Sequence, residues 1–213
     1  MDRMLLEELP APQRLALSYA PSASRAATLA LLALDARLGA ALRQGGEPVL
    51  VQMRLAWWRD TLAAGPGGWP AGEAVLEALQ VWRNPGALVA LVDGWEALLG
   101  ETLDAEAIEG FAAGRGDAFA QLAIELGNDP QAAGAGARLW ALGDLAANLS
   151  DTAERARVLE AAGGLPCPPL PRALRPLAVL SGLARRSLAR GGFPLLDGPG
   201  AMLLAVRLGI AGR

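Results

Sequence analysis

Apolar residues recur along this chain with helical spacing and almost never alternate with polar ones. Leu31, Leu34, Leu38 and Leu42 mark one buried stripe of a helix predicted from Ser22, a capping serine after Pro21, to Arg43, ahead of Gly45-Gly46. A second helix runs from about Glu47 to Ala63 and is ended by Gly65-Pro66-Gly67-Gly68; a third covers Ala71 to Trp82. Asn84-Pro85 stops that helix and opens a fourth, to Leu99; Glu73 and Glu77, four apart in the third, read as surface acids at a helix start. Asp104 caps a helix from Ala105 to Leu126, and Asn128-Asp129-Pro130 closes it. Further helices are expected over Gln131 to Leu149, Asp151 to Ala162, Arg172 to Arg190 and Gly200 to Leu208. No strand-like alternation and no fixed-period repeat is present, so the pattern predicts one all-α domain over residues 1–213.

Composition narrows the chemistry. Lysine and histidine are both absent, and arginine carries all 19 positive charges, a usage that fits a GC-rich genome. Schiff-base lysines, Walker-type phosphate lysines, histidine-dependent nucleophiles and histidine metal ligands are therefore excluded. Cys167 is the only cysteine, which rules out an internal disulfide and a thiolate zinc site and fits a reducing, cytoplasmic setting. Residues 1–10 carry Asp2, Glu7 and Glu8 and do not resemble a signal peptide, and the apolar run Ala26 to Leu34 is too short to cross a bilayer. The net charge of −3 conceals an asymmetry: from Leu165 onward there are seven arginines and one acid, Asp197. Such a basic C-terminal third suits a membrane surface or a protein partner, with placement peripheral to a membrane; nothing points to nucleic acid.

The segment Arg54-Leu55-Ala56-Trp57-Trp58-Arg59-Asp60 puts two tryptophans between two arginines. On a helix, Arg54 and Trp58 share a face while Trp57 turns away. This pattern reads either as core packing or as the wall of a pocket for an anion with an apolar tail. Other residues have plainer readings: Asp35 as a solvated or arginine-paired acid near the face of Arg37; Trp69, Trp82, Trp95 and Trp140 as core; Tyr19 as a plug at the bundle end; and Gly114-Arg115-Gly116 as a break for helix packing, or less simply as a phosphate-binding turn.

In this order, the segments resemble the squalene/phytoene synthase family. The likeness lies in Ser22-Ala23-Ser24-Arg25, the tryptophan segment, Val92-Asp93-Gly94-Trp95-Glu96, Ala112-Ala113-Gly114-Arg115-Gly116, Leu142-Gly143 and Gly164-Leu165-Pro166. The tryptophan segment is closest to the bacterial and assembly-factor branches, the latter associated with respiratory complex I maturation. The resemblance implies an isoprenoid-synthase-like helical bundle, shortened at the C-terminus by one or two cavity-closing helices. It also implies head-to-head prenyl transfer, with Mg²⁺ ions held by two facing Asp-rich motifs. Aligned on Arg25, the first motif falls on Leu38, Gly39 and Leu42, with Asp35 a turn early. Aligned on Leu142-Gly143, the second keeps Glu154 and ends at Val158; further family positions fall on Ala147, Ser150 and Leu98, and no Asp-x-x-x-Asp pair occurs anywhere.

A chain of this family without most of its diphosphate-binding metal ligands is expected to be non-catalytic, with an isoprenoid- or lipid-binding or an assembly role and no cofactor. Arg25, Arg54 and Arg59 are candidates to hold an anionic headgroup, Trp57 and Trp58 to line its apolar part, with Asp93 and Glu96 beside them. Two alternatives remain. One is an active prenyltransferase with Mg²⁺ on a rearranged set drawn from Asp93, Glu96, Asp144, Asp151 and Glu154. The other is a structural subunit with no small-molecule pocket.

Overall fold

The computed structural model describes residues 2–43 and 47–212. Among these residues the regular structure is entirely helical: α1 (Asp2–Glu8), α2 (Ala11–Leu17), α3 (Ser22–Arg43), α4 (Pro48–Ala64), α5 (Ala74–Leu79), α6 (Val89–Glu96), α7 (Ala105–Glu125), α8 (Pro130–Asn148), α9 (Thr152–Ala161), α10 (Arg175–Leu188) and α11 (Gly198–Ala211). This is an all-α bundle, and the long helices predicted from the apolar spacing are found within a few residues. The Gly45-Gly46 stop lies outside the described residues.

Capping residues act as their side chains dictate. Asp104 accepts from Ala107 N–H at the start of α7, Asp129 from Gln131 N–H at the start of α8, and Asp151 from two N–H groups at the start of α9. Ser22 is already inside α3, and it is the Ser24 hydroxyl that donates to the Pro21 carbonyl. The predicted third helix shrinks to α5, because Ala71 and Gly72 form a turn, Gly72 at φ +88°, and Glu73 becomes the cap. The fourth is a short α-helix between two 3₁₀ turns, and α11 extends past Leu208 to Ala211.

Helices α1 and α2 were not predicted. Each has seven residues, too few to show a period, and α2 lacks a side-chain cap. Tertiary burial holds them, with Leu5, Leu9, Ala16 and Leu17 all in the core.

Helix α3 runs deep in the bundle and is buried nearly all round from Leu29 to Ala36. Helices α7 and α8 pack side by side, α10 covers α8, α6 crosses α7, and α11 lies on α10. Large aromatics fill the centre. Phe119 meets Trp140 edge-on at 5.5 Å and Trp95 meets Phe111 at 4.8 Å. Trp82 and Trp95 are also core, whereas Trp69 is half-buried and donates to the Thr61 carbonyl. No described helix is long and apolar enough to cross a membrane.

Candidate functional site

The most apolar stretch of the chain runs directly into Asp35, and the structure buries this carboxylate in the middle of α3 at 1% exposure. A charge there must be paired or the helix cannot pack. Its partner is Arg115, from the centre of α7, which is equally buried. The guanidinium grips Asp35 through a fork: Nε donates to Oδ1 and Nη2 to Oδ2, each at 3.1 Å. Trp95 Nε1 from α6 donates to Oδ1 at 2.9 Å, and Gln13 Nε2 from α2 donates to Oδ2 at 3.2 Å. Four donors thus saturate one carboxylate.

The third nitrogen of Arg115 reaches the opposite wall. Nη1 donates to Asp144 Oδ2 on α8 at 3.1 Å. Aromatic faces enclose what remains of the guanidinium: its carbon lies 4.2 Å from the Trp140 ring centre, 4.7 Å from Phe111 and 5.3 Å from Trp95. Burial lifts the Asp35 carboxyl above its ordinary range; Arg115 pulls it back, Asp144 pushes it further up, and the Trp95 N–H pulls it down. Gln13 Oε1 and Trp140 Nε1 are buried without a protein partner. A polar cavity of about 180 Å³ lies beside the cluster, lined by Gln13, Asp35, Arg43, Arg115, Asp144 and Asn148.

One aspartate from α3, Asp35, and one from α8, Asp144, thus face each other across the bundle, and the cation between them is a side chain. Mg²⁺ needs near-octahedral oxygen ligation with room for its waters. With Asp35 already accepting four hydrogen bonds and Arg115 filling the gap, these residues do not fit that ion. The remaining metal candidates lie elsewhere, Asp93 and Glu96 on Arg59 and Asp151 and Glu154 at the start of α9. Asp151 is exposed, and the backbone N–H groups of Glu154 and Ala153 hold its carboxyl below the ordinary range. Glu154 contributes to that cap through its own N–H, and no cluster of three or more potential metal-binding side chains occurs among the described residues.

The candidate anion pocket is not assembled either. Trp58 is core, but Trp57 is 42% exposed and belongs with Val49, Leu50 and Met53 to an apolar stripe on the outer face of α4. Adjacent helical positions lie about 100° apart, so the two rings touch edge-on yet face different surroundings. Arg25 donates from Nη1 to the Leu17 carbonyl at 2.8 Å. Arg59 is spent on Asp93 at 2.8 Å and on Glu96, an ion pair linking α4 to α6 whose hydrogen bonds raise the Arg59 pKa. Only Arg54 lines a sizeable groove, about 520 Å³ with an alanine floor between Arg37 and Glu8.

Sequence reading missed the real centre. Asp35 is arginine-paired, one of its two sequence readings, but not on the face of Arg37, which meets Glu8 and Glu73 outside; its partner, Arg115, lies within the bundle. Gly114-Arg115-Gly116 does not break α7, and backbone N–H groups in mid-helix are not free to bind phosphate. The available signal was an acid ending an apolar run and an arginine between glycines in an apolar helix. Compared with known protein families, curated proteins and solved structures, the chain matches none.

Proposed function

We propose that this chain is a non-catalytic scaffold of the squalene/phytoene-synthase-like type, acting through binding or assembly rather than prenyl transfer. The observation that carries this reading is Arg115, whose guanidinium bridges Asp35, a turn ahead of the first expected motif, and Asp144, on the helix before the second, and so fills the gap between these helices with a side chain. A guanidinium locked by three hydrogen bonds and enclosed by three aromatic rings neither leaves nor exchanges with substrate. The space beside it, about 180 Å³, falls below the roughly 300–1,000 Å³ typical of small-molecule sites. The exposed stripe of Val49, Leu50, Met53 and Trp57 on α4 supplies apolar surface suited to contact with a partner, and the assembly-factor branch of the family is the precedent for such a role.

The experiment is incubation of the purified protein with farnesyl or geranylgeranyl diphosphate and Mg²⁺, following diphosphate release. Release at the no-enzyme background is expected, together with no change in the fluorescence of Trp95 and Trp140, which flank the cluster. Release that depends on Mg²⁺ and rises with protein concentration would show the scaffold reading to be wrong.

A further inference from the structure

Helix α11 buries Ala201, Ala205, Leu208 and Gly209 against the bundle, chiefly against α10. Its opposite face carries Met202, Leu203, Val206 and Ile210 on one arc, with Leu203 and Ile210 each 72% exposed. Arg207 sits at the edge of that arc and is the helix's one polar side chain; α11 contains no acid, amide or hydroxyl. Phe193, just before α11, is also exposed.

Around this face the charge is one-sided. Arg185 and Arg207 are exposed and, among the described residues, meet no carboxylate; Arg190 is paired with Asp197 at 3.4 Å. Arg185 and Arg207 converge on a cleft of about 280 Å³ floored by Pro168, Pro169 and Leu170. Two guanidinium groups aimed into one cleft beside an apolar helix face match the chemistry of a phosphate headgroup with acyl chains beside it.

We propose that α11 is a membrane-contact helix that lies flat on an anionic phospholipid surface, burying Leu203, Val206 and Ile210 among acyl chains while Arg185 and Arg207 take a headgroup phosphate. A second copy of the chain is a poorer occupant, because a symmetric contact brings the arginines of both copies together. A specific protein partner is also less well served, since apart from Arg207 this face offers no hydrogen-bonding group to fix its register. The inference is independent of the scaffold reading: an active enzyme carrying this face would dock in the same way.

The test is co-sedimentation of the full chain with vesicles of phosphatidylcholine alone and of phosphatidylcholine mixed with phosphatidylglycerol. Binding is expected to the mixed vesicles only, weakening as salt is raised. Leu203→Ser/Ile210→Ser removes two insertable side chains and is expected to weaken partitioning at least about tenfold. Arg185→Gln/Arg207→Gln removes the headgroup contacts and is expected to weaken it roughly tenfold or more. All four residues are exposed, so circular dichroism of both variants is expected to match the parent. Absence of binding to the mixed vesicles, binding that either variant leaves unchanged, or a concentration-dependent dimer abolished by Leu203→Ser/Ile210→Ser would each overturn the proposal.

Discussion

An aspartate in the middle of an apolar helix obliges the rest of the protein to answer it. Here Arg115 answers, and its own charge is answered in turn by Asp144 and three aromatic faces. Buried ion pairs add little net stability, since desolvation offsets their attraction, but removing one partner is costly. Arg115→Met is therefore expected to destabilise the fold by about 3–5 kcal/mol in urea unfolding, because Asp35 is left buried and unpaired. Its carboxyl, already raised by burial, then shifts further up. A raised folded pKa makes an acid's contribution largest at low pH, so the deficit of Arg115→Met grows as pH rises through the folded value. Asp35→Leu/Arg115→Met is expected to recover part of the loss. A deficit in the single variant below about 1 kcal/mol is the result this account does not allow.

Between elements, one close approach is where α6 crosses α7. Gly94 and Gly114 face each other there, and a β-carbon on Gly114 would lie 2.3 Å from the Ala90 carbonyl oxygen. No flexible side chain can yield at that contact, so the helices would have to separate. Gly114→Ala is expected to cost about 1–3 kcal/mol and, by tilting α7, to loosen the grip of Arg115 one residue on. Gly134 on α8 makes the contrast: an added β-carbon meets nothing nearer than 3.5 Å. Gly134→Ala should be neutral or stabilising by up to about 1 kcal/mol, because the helical backbone gains from losing a glycine. Thermal melts of the two variants check the pair; equal shifts would contradict the crossing as described.

For the molecule as a whole, Glu125 at the end of α7 contributes to the loss of stability in acid. Its side chain is only 6% exposed and ties down the segment between α5 and α6. It accepts from Asn84 N–H at 2.9 Å, Arg83 Nε at 3.0 Å and Arg83 N–H at 3.2 Å. Burial pushes its carboxyl up, but the Arg83 side chain and the two backbone N–H groups outweigh it and hold the pKa below the ordinary 4.5. An acid lowered in this way contributes stability above its unfolded pKa and loses it as pH falls through the folded value. Glu125→Gln is expected to be less stable than the parent by about 1–2 kcal/mol near neutral pH. That gap is expected to close in strong acid, as followed by denaturant unfolding across pH; a gap independent of pH would argue against the assignment.

Local chemistry was enough to place the long helices and the aspartate caps, because apolar spacing, Gly/Pro punctuation and short polar side chains act over a few residues. It was enough, too, to exclude lysine and histidine chemistry and to mark the basic C-terminal third. What only the tertiary structure decided is which charges are inside. Asp35, Arg115, Asp144 and Gln13 lie on four helices and as much as 131 positions apart in the chain, and nothing within one helix selects its partner across the bundle. The same holds for Trp57 and Trp58: the sequence makes them neighbours, and only the packing of α4 against α6 sends one into the core and leaves the other in solvent.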